Sequence, residues 1–200
     1  MRIAVAVPSF PTISETFIVN HITGLIDQDH KVTLIALQKN ILNHYHPIID
    51  RYDLIRKTVF VIKPPSSKIL CRFYAMGLIF KYALRYPMKI FRALSYLLRN
   101  QNDFYTKLFF FLSVIGRDFD IFHFHFAHVG RYGAFLKAAG LPIKMITSFH
   151  GYDVNKLPLL KPKDFYTELF EYGDHFIANT NFTKQQAIQL GCDKSKISVI

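Results

Sequence analysis

The chain has 200 residues, half of them apolar, with 25 Lys and Arg against 14 Asp and Glu, a net charge of +11. That length suits one domain with a real core and is marginal for two, and the apolar content excludes a disordered chain. Two cysteines, Cys71 and Cys192, exclude a disulfide framework and a four-cysteine zinc site; they read as reduced, buried thiols in a reducing compartment.

The first residues, Arg2–Val7, have too short an apolar run for a signal peptide and read as a buried strand. Thr12-Ile13-Ser14-Glu15 matches a capping box. The helix that follows carries Phe17, Ile18, His21, Ile22, Leu25 and Ile26 on one face. Lys31–Leu37 is a second strand, so the opening is a right-handed β-α-β unit with parallel strands. Residues 38–57 read as irregular, and Thr58–Ile62 as a short strand ended by Pro64 and Pro65. Three helices are predicted at about 67–85, 87–99 and 103–116. A strand at Phe119–Phe126, a helix at Val129–Ala139, a strand at Pro142–Phe149 and a helix at Lys161–Tyr172 follow. Then come a strand at His175–Asn179, a helix at Phe182–Leu190 and the start of a strand at Ile197–Ile200. Strands alternating with helices predict an α/β fold, a Rossmann-like parallel sheet with helices on both faces. The chain stops inside its last strand, where a natural domain rarely ends, and so reads as a piece of a longer protein. No run approaches the roughly 18 apolar residues of a spanning helix.

The charge is unevenly placed. From Leu54 to Asn102 there is no acidic residue and there are ten basic ones, so this quarter of the chain carries +10 of the +11. Lys81, Arg85, Lys89, Arg92 and Arg99 are spaced as one stripe if the turn at Pro87 only kinks the path. Phe80, Leu84, Phe91 and Leu98, with Ile79, Ile90, Leu94 and Leu97, supply apolar surface beside it. Basic amphipathic helices lie on anionic membranes; the alternative is a solvated face on core-packing helices. The charge also suits nucleic acid, but no nucleic-acid module accompanies it, and none is expected as a partner.

The chemistry-bearing residues fall in two segments, His123-Phe-His125-Phe-Ala-His128 and Ser148-Phe-His150-Gly151-Tyr152-Asp153. Each lies at the downstream end of a predicted strand, where open parallel sheets bind ligands. Residues two apart on a strand share a face, so His123 and His125 point one way and Phe122, Phe124 and Phe126 the other. His123, deep in the strand, reads as a packed histidine. His125 and His128 divide between packing and binding, and His150, before a glycine turn, reads as functional. The backbone at Gly130-Arg131-Tyr132-Gly133, opening the next helix, is placed to face an anion. A zinc site from the His-x-His pair, a third histidine and Asp153 is a sharper alternative, disfavoured by the greasy Phe126 and Phe149 and the lack of a carboxylate cluster. Asp118-Phe119-Asp120 looks like a metal-binding Asp-x-Asp motif, but it starts a strand whose far end carries the histidines.

Four motifs in order give the chain a likeness to a known family. Pro8-Ser9-Phe10-Pro11-Thr12-Ile13-Ser14-Glu15-Thr16-Phe17-Ile18 is like a "P-S-E-T-F-I" start. Phe122-His123-Phe124-His125-Phe126-Ala127 is like an "hxHF" strand, and Thr147-Ser148-Phe149-His150-Gly151-Tyr152-Asp153 like "T-x-H-G-x-D". Asn179–Ile200 is like the closing "L-G" and "K-I-x-V-I" pattern. Together they resemble the N-terminal half of GT-B-fold glycosyltransferases of family 4.

The resemblance implies that residues 1–200 form an acceptor-binding domain, with a basic helical insert at about 64–116, and that a C-terminal nucleotide-sugar domain is absent. It implies sugar transfer with retention of anomeric configuration to a saccharide or lipid-linked acceptor in cell-surface polysaccharide synthesis. No bound metal and no cofactor are implied; a nucleotide-sugar serves as co-substrate. His150 takes the catalytic position beside the transferred sugar. His125, His128, Gly151 and Asp153 line the cleft with Thr12, Ser14 and Glu15. The first loop, Ser9–Glu15, lacks the glycines that usually approach the donor phosphates. The expected location is the cytoplasmic face of the cell membrane, held by the basic stripe, and the isolated fragment is expected to be inactive. A non-catalytic α/β sugar- or ligand-binding module is the alternative from a different class.

Overall fold

The computed structural model describes residues 1–42, 44–100 and 102–200; Asn43, inside the segment expected to be irregular, and Gln101 lie outside the described residues. Seven parallel strands form one sheet in the order β3-β2-β1-β4-β5-β6-β7. They are β1 (Arg2–Phe10), β2 (Lys31–Lys39), β3 (Thr58–Phe60), β4 (Ile121–His125), β5 (Lys144–Phe149), β6 (His175–Ala178) and β7 (Ile197–Val199). The chain runs outward from β1 to β3, then returns to β4 and runs outward the other way. β1 and β4 therefore flank the switch point, where strand order reverses and a crevice opens at the carboxyl ends.

The alternation of side chains along β1 divides the core. Ile3, Val5 and Val7 join Ile18, Val19 and Ile22 of α1 (Thr16–Asp27), while Ala4 and Ala6 face the opposite cluster. That second face is larger and aromatic, built on Phe109, Phe110 and Phe111 of α5 (Phe104–Val114), Phe122 and Phe124 of β4, and α6 (Ala127–Ala138). Small alanines on β1 make room for these rings. Gly133 of α6 does the same over β4: a Cβ there would lie 2.3 Å from Phe124.

Of the three helices between β3 and β4, α5 is buried within the core, whereas α3 (Lys68–Ala83) and α4 (Pro87–Arg99) pack on it with one face each, through Cys71 and Ala75 and through Ile90, Ala93 and Leu97. A four-residue helix, α2 (Ile48–Arg51), breaks the stretch that reads as irregular. The helix expected at Lys161–Tyr172 is shortened to α9 (Thr167–Tyr172), and two short helices that the sequence reading did not anticipate, α7 (Tyr152–Asn155) and α8 (Leu157–Leu160), precede it. Pro158 and Pro162 lack the amide protons that one unbroken helix would require. The last helix, α10 (Asn181–Gln189), is capped by the Thr180 hydroxyl, which accepts from the Thr183 amide. Both cysteines are free and buried.

The capping-box expectation is corrected. Helix α1 starts at Thr16 with no side-chain cap, and the Thr12 hydroxyl donates instead to the Glu15 carboxylate at 3.0 Å. The Asp-x-Asp pair sits at the amino-end rim. Asp120 receives both the Arg2 amide and its guanidinium, at 2.7 and 2.8 Å, and Asp118 lies 3.7 Å from Arg2. It fastens the starts of β1 and β4, far from the histidines. Among the described residues no helix is long and apolar enough to cross a membrane.

Candidate active site

His123 and His125 leave β4 on the α1 side, as alternation requires, while Phe122 and Phe124 enter the aromatic core. Phe126 departs from the expected pattern. It has left the strand at φ 74°, in the left-handed region that bulky residues rarely adopt. Its ring then turns back over the site, with its centroid 4.7 Å from that of His150. The turn also brings His128 into the first turn of α6 rather than a preceding loop. The amides of Val129 and Gly130 bond the Phe126 carbonyl, and Gly130 and Gly133 face inward against Thr147 and Phe124. This glycine pair thus serves close packing of helix on sheet, not the anion site that its spacing suggests.

Three imidazoles form a chain across the switch point. His21 Nδ1 lies 3.2 Å from His125 Nε2, and His125 Nδ1 lies 3.1 Å from His150 Nε2. His123 Nε2 meets the Ser148 hydroxyl at 2.7 Å. Burial, and then the neighbouring imidazoles, push His125 down to about 2 and His123 to about 3. Burial also lowers His21 and His150, the latter opposed by Asp153. The chain is therefore neutral near pH 7, with one proton shared across each contact. Its polarity decides what His150 offers: an N–H at Nδ1 when protons point from His21 outward, a lone pair there when they point inward.

His150 itself is half-buried at the rim, between the rings of Phe17, 4.8 Å away by centroid, and Phe126. Gly151, at φ 54°, turns the chain directly after it. Asp153 holds that turn from a fully buried position. Its carboxylate accepts the His150 amide at 3.0 Å and meets His128 Nδ1 at 3.3 Å, and its carbonyl accepts the Tyr166 hydroxyl at 2.9 Å. Glu15 is half-buried near His128; burial raises its pKa, against the opposing pull of the Thr12 hydroxyl and His128. Ser14 is exposed on the same loop.

Every residue expected to bind therefore comes from the carboxyl-end rim. His125, His150, His128 and Asp153 are linked by direct contacts, and Thr12 and Glu15 approach through His128, whereas Ser14 is exposed on the loop. Sequence reasoning missed Phe17 and His21 as site residues, although their four-residue spacing on α1 puts both on one face. It also missed Arg131 and Lys161, which flank Phe165 in a groove of about 290 Å³ with His128, Tyr132 and Tyr152. Tyr132 also lines a larger cavity of about 640 Å³, bounded by Leu37, Lys39, Phe60, Lys63 and Phe109 at the ends of β2 and β3.

The close imidazole trio is His21, His123 and His125, whose nitrogens lie within 4.8 Å of one another. The zinc set considered from sequence is not assembled: His128 and Asp153 pair with each other, and His125 uses both nitrogens on other histidines.

A seven-stranded parallel Rossmann-like sheet with imidazoles at its switch point is an α/β domain of the kind found in GT-B enzymes. The likeness is specific: residues 14–200 match the Glycosyltransferase Family 4 profile, and the chain belongs to that family. It is 28% identical to WcaL of Salmonella typhimurium, assigned as a colanic acid biosynthesis glycosyltransferase, over all of this chain and 50% of that protein. It is 26% identical to the amylovoran biosynthesis glycosyltransferase AmsK of Erwinia amylovora, with the same coverage. The chain thus spans about half the length of these relatives. Among solved structures it is similar to Anabaena HepE in complex with UDP and glucose, at a TM-score of 0.55 and 11% identity over the whole chain and 44% of HepE. It is also similar to the lipopolysaccharide outer core galactosyltransferase WaaB, at 0.51 and 16%, over 45% of that protein.

Proposed function

We propose that this chain is the acceptor-side domain of a retaining glycosyltransferase. The enzyme takes a sugar from a nucleotide-sugar and adds it to a saccharide or lipid-linked acceptor in cell-surface polysaccharide synthesis, at the cytoplasmic face of the membrane. The domain organisation is part of the proposal: a nucleotide-sugar domain outside this chain closes over the rim. The relatives' assignments to colanic acid and amylovoran synthesis support the polysaccharide reading. HepE, solved with UDP and glucose, supports a nucleotide-sugar donor.

One observation carries the catalytic reading. His150 is a neutral imidazole held at the rim by a backbone bond to buried Asp153 and a ring bond to His125. So held, it can hydrogen-bond a hydroxyl of the transferred sugar and stabilise charge that develops as the glycosidic bond to phosphate breaks. Preorganised donors of this kind need no rearrangement at the moment of reaction. The acceptor enters along the groove of His128, Arg131 and Tyr152, with Asp153 fixing His128 and Gly151 giving the backbone room. Glu15, Thr12 and Ser14 on the first loop bind acceptor hydroxyls.

The test is His150→Ala in the full-length protein that carries this chain, assayed for transfer from a panel of nucleotide-sugars. Turnover should fall about 100- to 1000-fold with the melting temperature preserved. Loss of folding in step with activity would reduce His150 to a structural residue. Saccharide binding without any transfer by the wild type would favour a non-catalytic binding module instead.

A further inference from the structure

The outer helix pair carries an apolar surface that no core residue covers. On α3, Cys71, Ala75, Leu78 and Tyr82 face the protein. On the opposite side, Ile69, Phe73, Met76, Phe80 and Leu84 recur at steps of four, three, four and four, a single row along the helix. All five are exposed, Phe80 by 69% and Leu84 by 76%. A helix with two apolar faces has one face too many for a solvated surface. Cations flank the row, with Lys68 and Arg72 on one side and Lys81 and Arg85 on the other. On α4, Met88, Phe91 and Leu98 continue the exposed apolar surface beside Arg92 and Arg99, with Phe91 67% exposed.

The path differs from the continuous stripe that the sequence suggests. Helix α3 leaves the carboxyl end of β3, Lys89 near the start of α4 lies with Arg2 and Asp118 at the amino-end rim, and Arg99 lies with Asp103 and Arg131 at the other end. The two helices form an antiparallel hairpin. Lys89 is only part exposed and its ammonium sits near the Tyr86 ring; Ile90 and Leu97 are buried, and Ile79 and Leu94 pack against the core.

We propose that the α3–α4 hairpin is a membrane-docking surface whose row Ile69, Phe73, Met76, Phe80 and Leu84 enters the interface of an anionic bilayer, with Lys81 and Arg85 on the phosphates. Charge selects this occupant. Residues 54–102 hold ten cations and no carboxylate, and among the described residues only Arg56 of the ten has an ion pair, with Asp53. A second copy would set like charges face to face, whereas an anionic lipid surface neutralises them and receives the apolar row at the same time. The surface stands apart from the histidine rim, so the inference does not depend on the proposed reaction.

The experiment is sedimentation of the full-length protein with phosphatidylglycerol–phosphatidylcholine vesicles and with phosphatidylcholine alone. Binding should require phosphatidylglycerol and weaken as NaCl rises. Lys81→Gln with Arg85→Gln should lower partitioning about 30-fold, at roughly one tenfold step per 1.4 kcal/mol and about 1 kcal/mol per cation. Phe73→Ser with Phe80→Ser should lower it at least about tenfold, with the circular dichroism spectrum unchanged. Equal binding to neutral vesicles, undiminished binding by both variants, or a dimer abolished by the Phe→Ser pair in a protein that ignores vesicles would each overturn the proposal.

Discussion

The histidine rim and the α3–α4 hairpin break the rule of apolar inside and polar outside in opposite senses. At the rim, imidazoles and a carboxylate are buried; on the hairpin, phenylalanines are exposed. Burial of a polar group is tolerated where hydrogen bonds replace water, and His123, His125 and Asp153 each have a named partner. On the hairpin row, Ile69, Phe73, Met76, Phe80 and Leu84 each stay at least 60% exposed, so most of their apolar surface meets solvent. The rim is consequently strong and acid-sensitive, while the outer row of the hairpin contributes little to folding.

Substitutions sharpen that contrast. The largest effect is expected at Asp153. Asp153→Ala strands the buried His150 amide and frees His128, and should cost about 3 kcal/mol in denaturant unfolding; a loss below 0.5 kcal/mol would show that the rim is no network. Acid comes next. The unfolded chain takes up a proton at His123 and His125 near pH 6.5, whereas the folded chain resists until about 3 and about 2. The unfolded state thus binds more protons in that window. Stability should be complete above about pH 6.5 and fall with decreasing pH by up to about 1.4 kcal/mol per pH unit for each imidazole. A pH titration of the unfolding midpoint reads this slope, and His123→Gln with His125→Gln should flatten it.

A smaller effect is expected at His21, a positioning residue that reaches the cleft only through His125. His21→Ala in the full-length protein should lower kcat about tenfold with KM little changed, and His21→Asn should restore part of it by placing an amide nitrogen near the position of Nδ1. An equal loss in both variants, tracking the melting temperature, would leave His21 as packing alone. The smallest effect belongs to the hairpin: Phe80→Ser should move stability by no more than about 0.5 kcal/mol, because no buried contact is lost. A loss above 2 kcal/mol would mean that the row is core after all.

Much of this site was legible in the chain. Period-two alternation put His123 and His125 on one face, and the Gly151 turn marked His150 as the rim residue. What the pattern concealed was Phe126. Apolar alternation extends through it, yet its backbone turns to positive φ and ends β4 at His125. Nothing in the linear spacing marks such a turn, because the hydrogen bonds that hold it come from Ser148 on β5 and from α6. Glu15 was misread for a similar reason: its spacing from Thr12 fits a cap, but the helix starts one residue after it.

Composition and periodicity by themselves determined an α/β sheet, the order of its elements, the two histidine segments at strand ends and the acid-free basic block. Those properties are local, set by side-chain alternation and by charge counted along the chain. Only the tertiary structure decided that His21 completes the imidazole chain, that Asp153 meets His128, and that half of the apolar residues beside the cations face outward. Each of these depends on which elements pack together across the sheet, and packing is a property of surfaces brought together from distant parts of the chain.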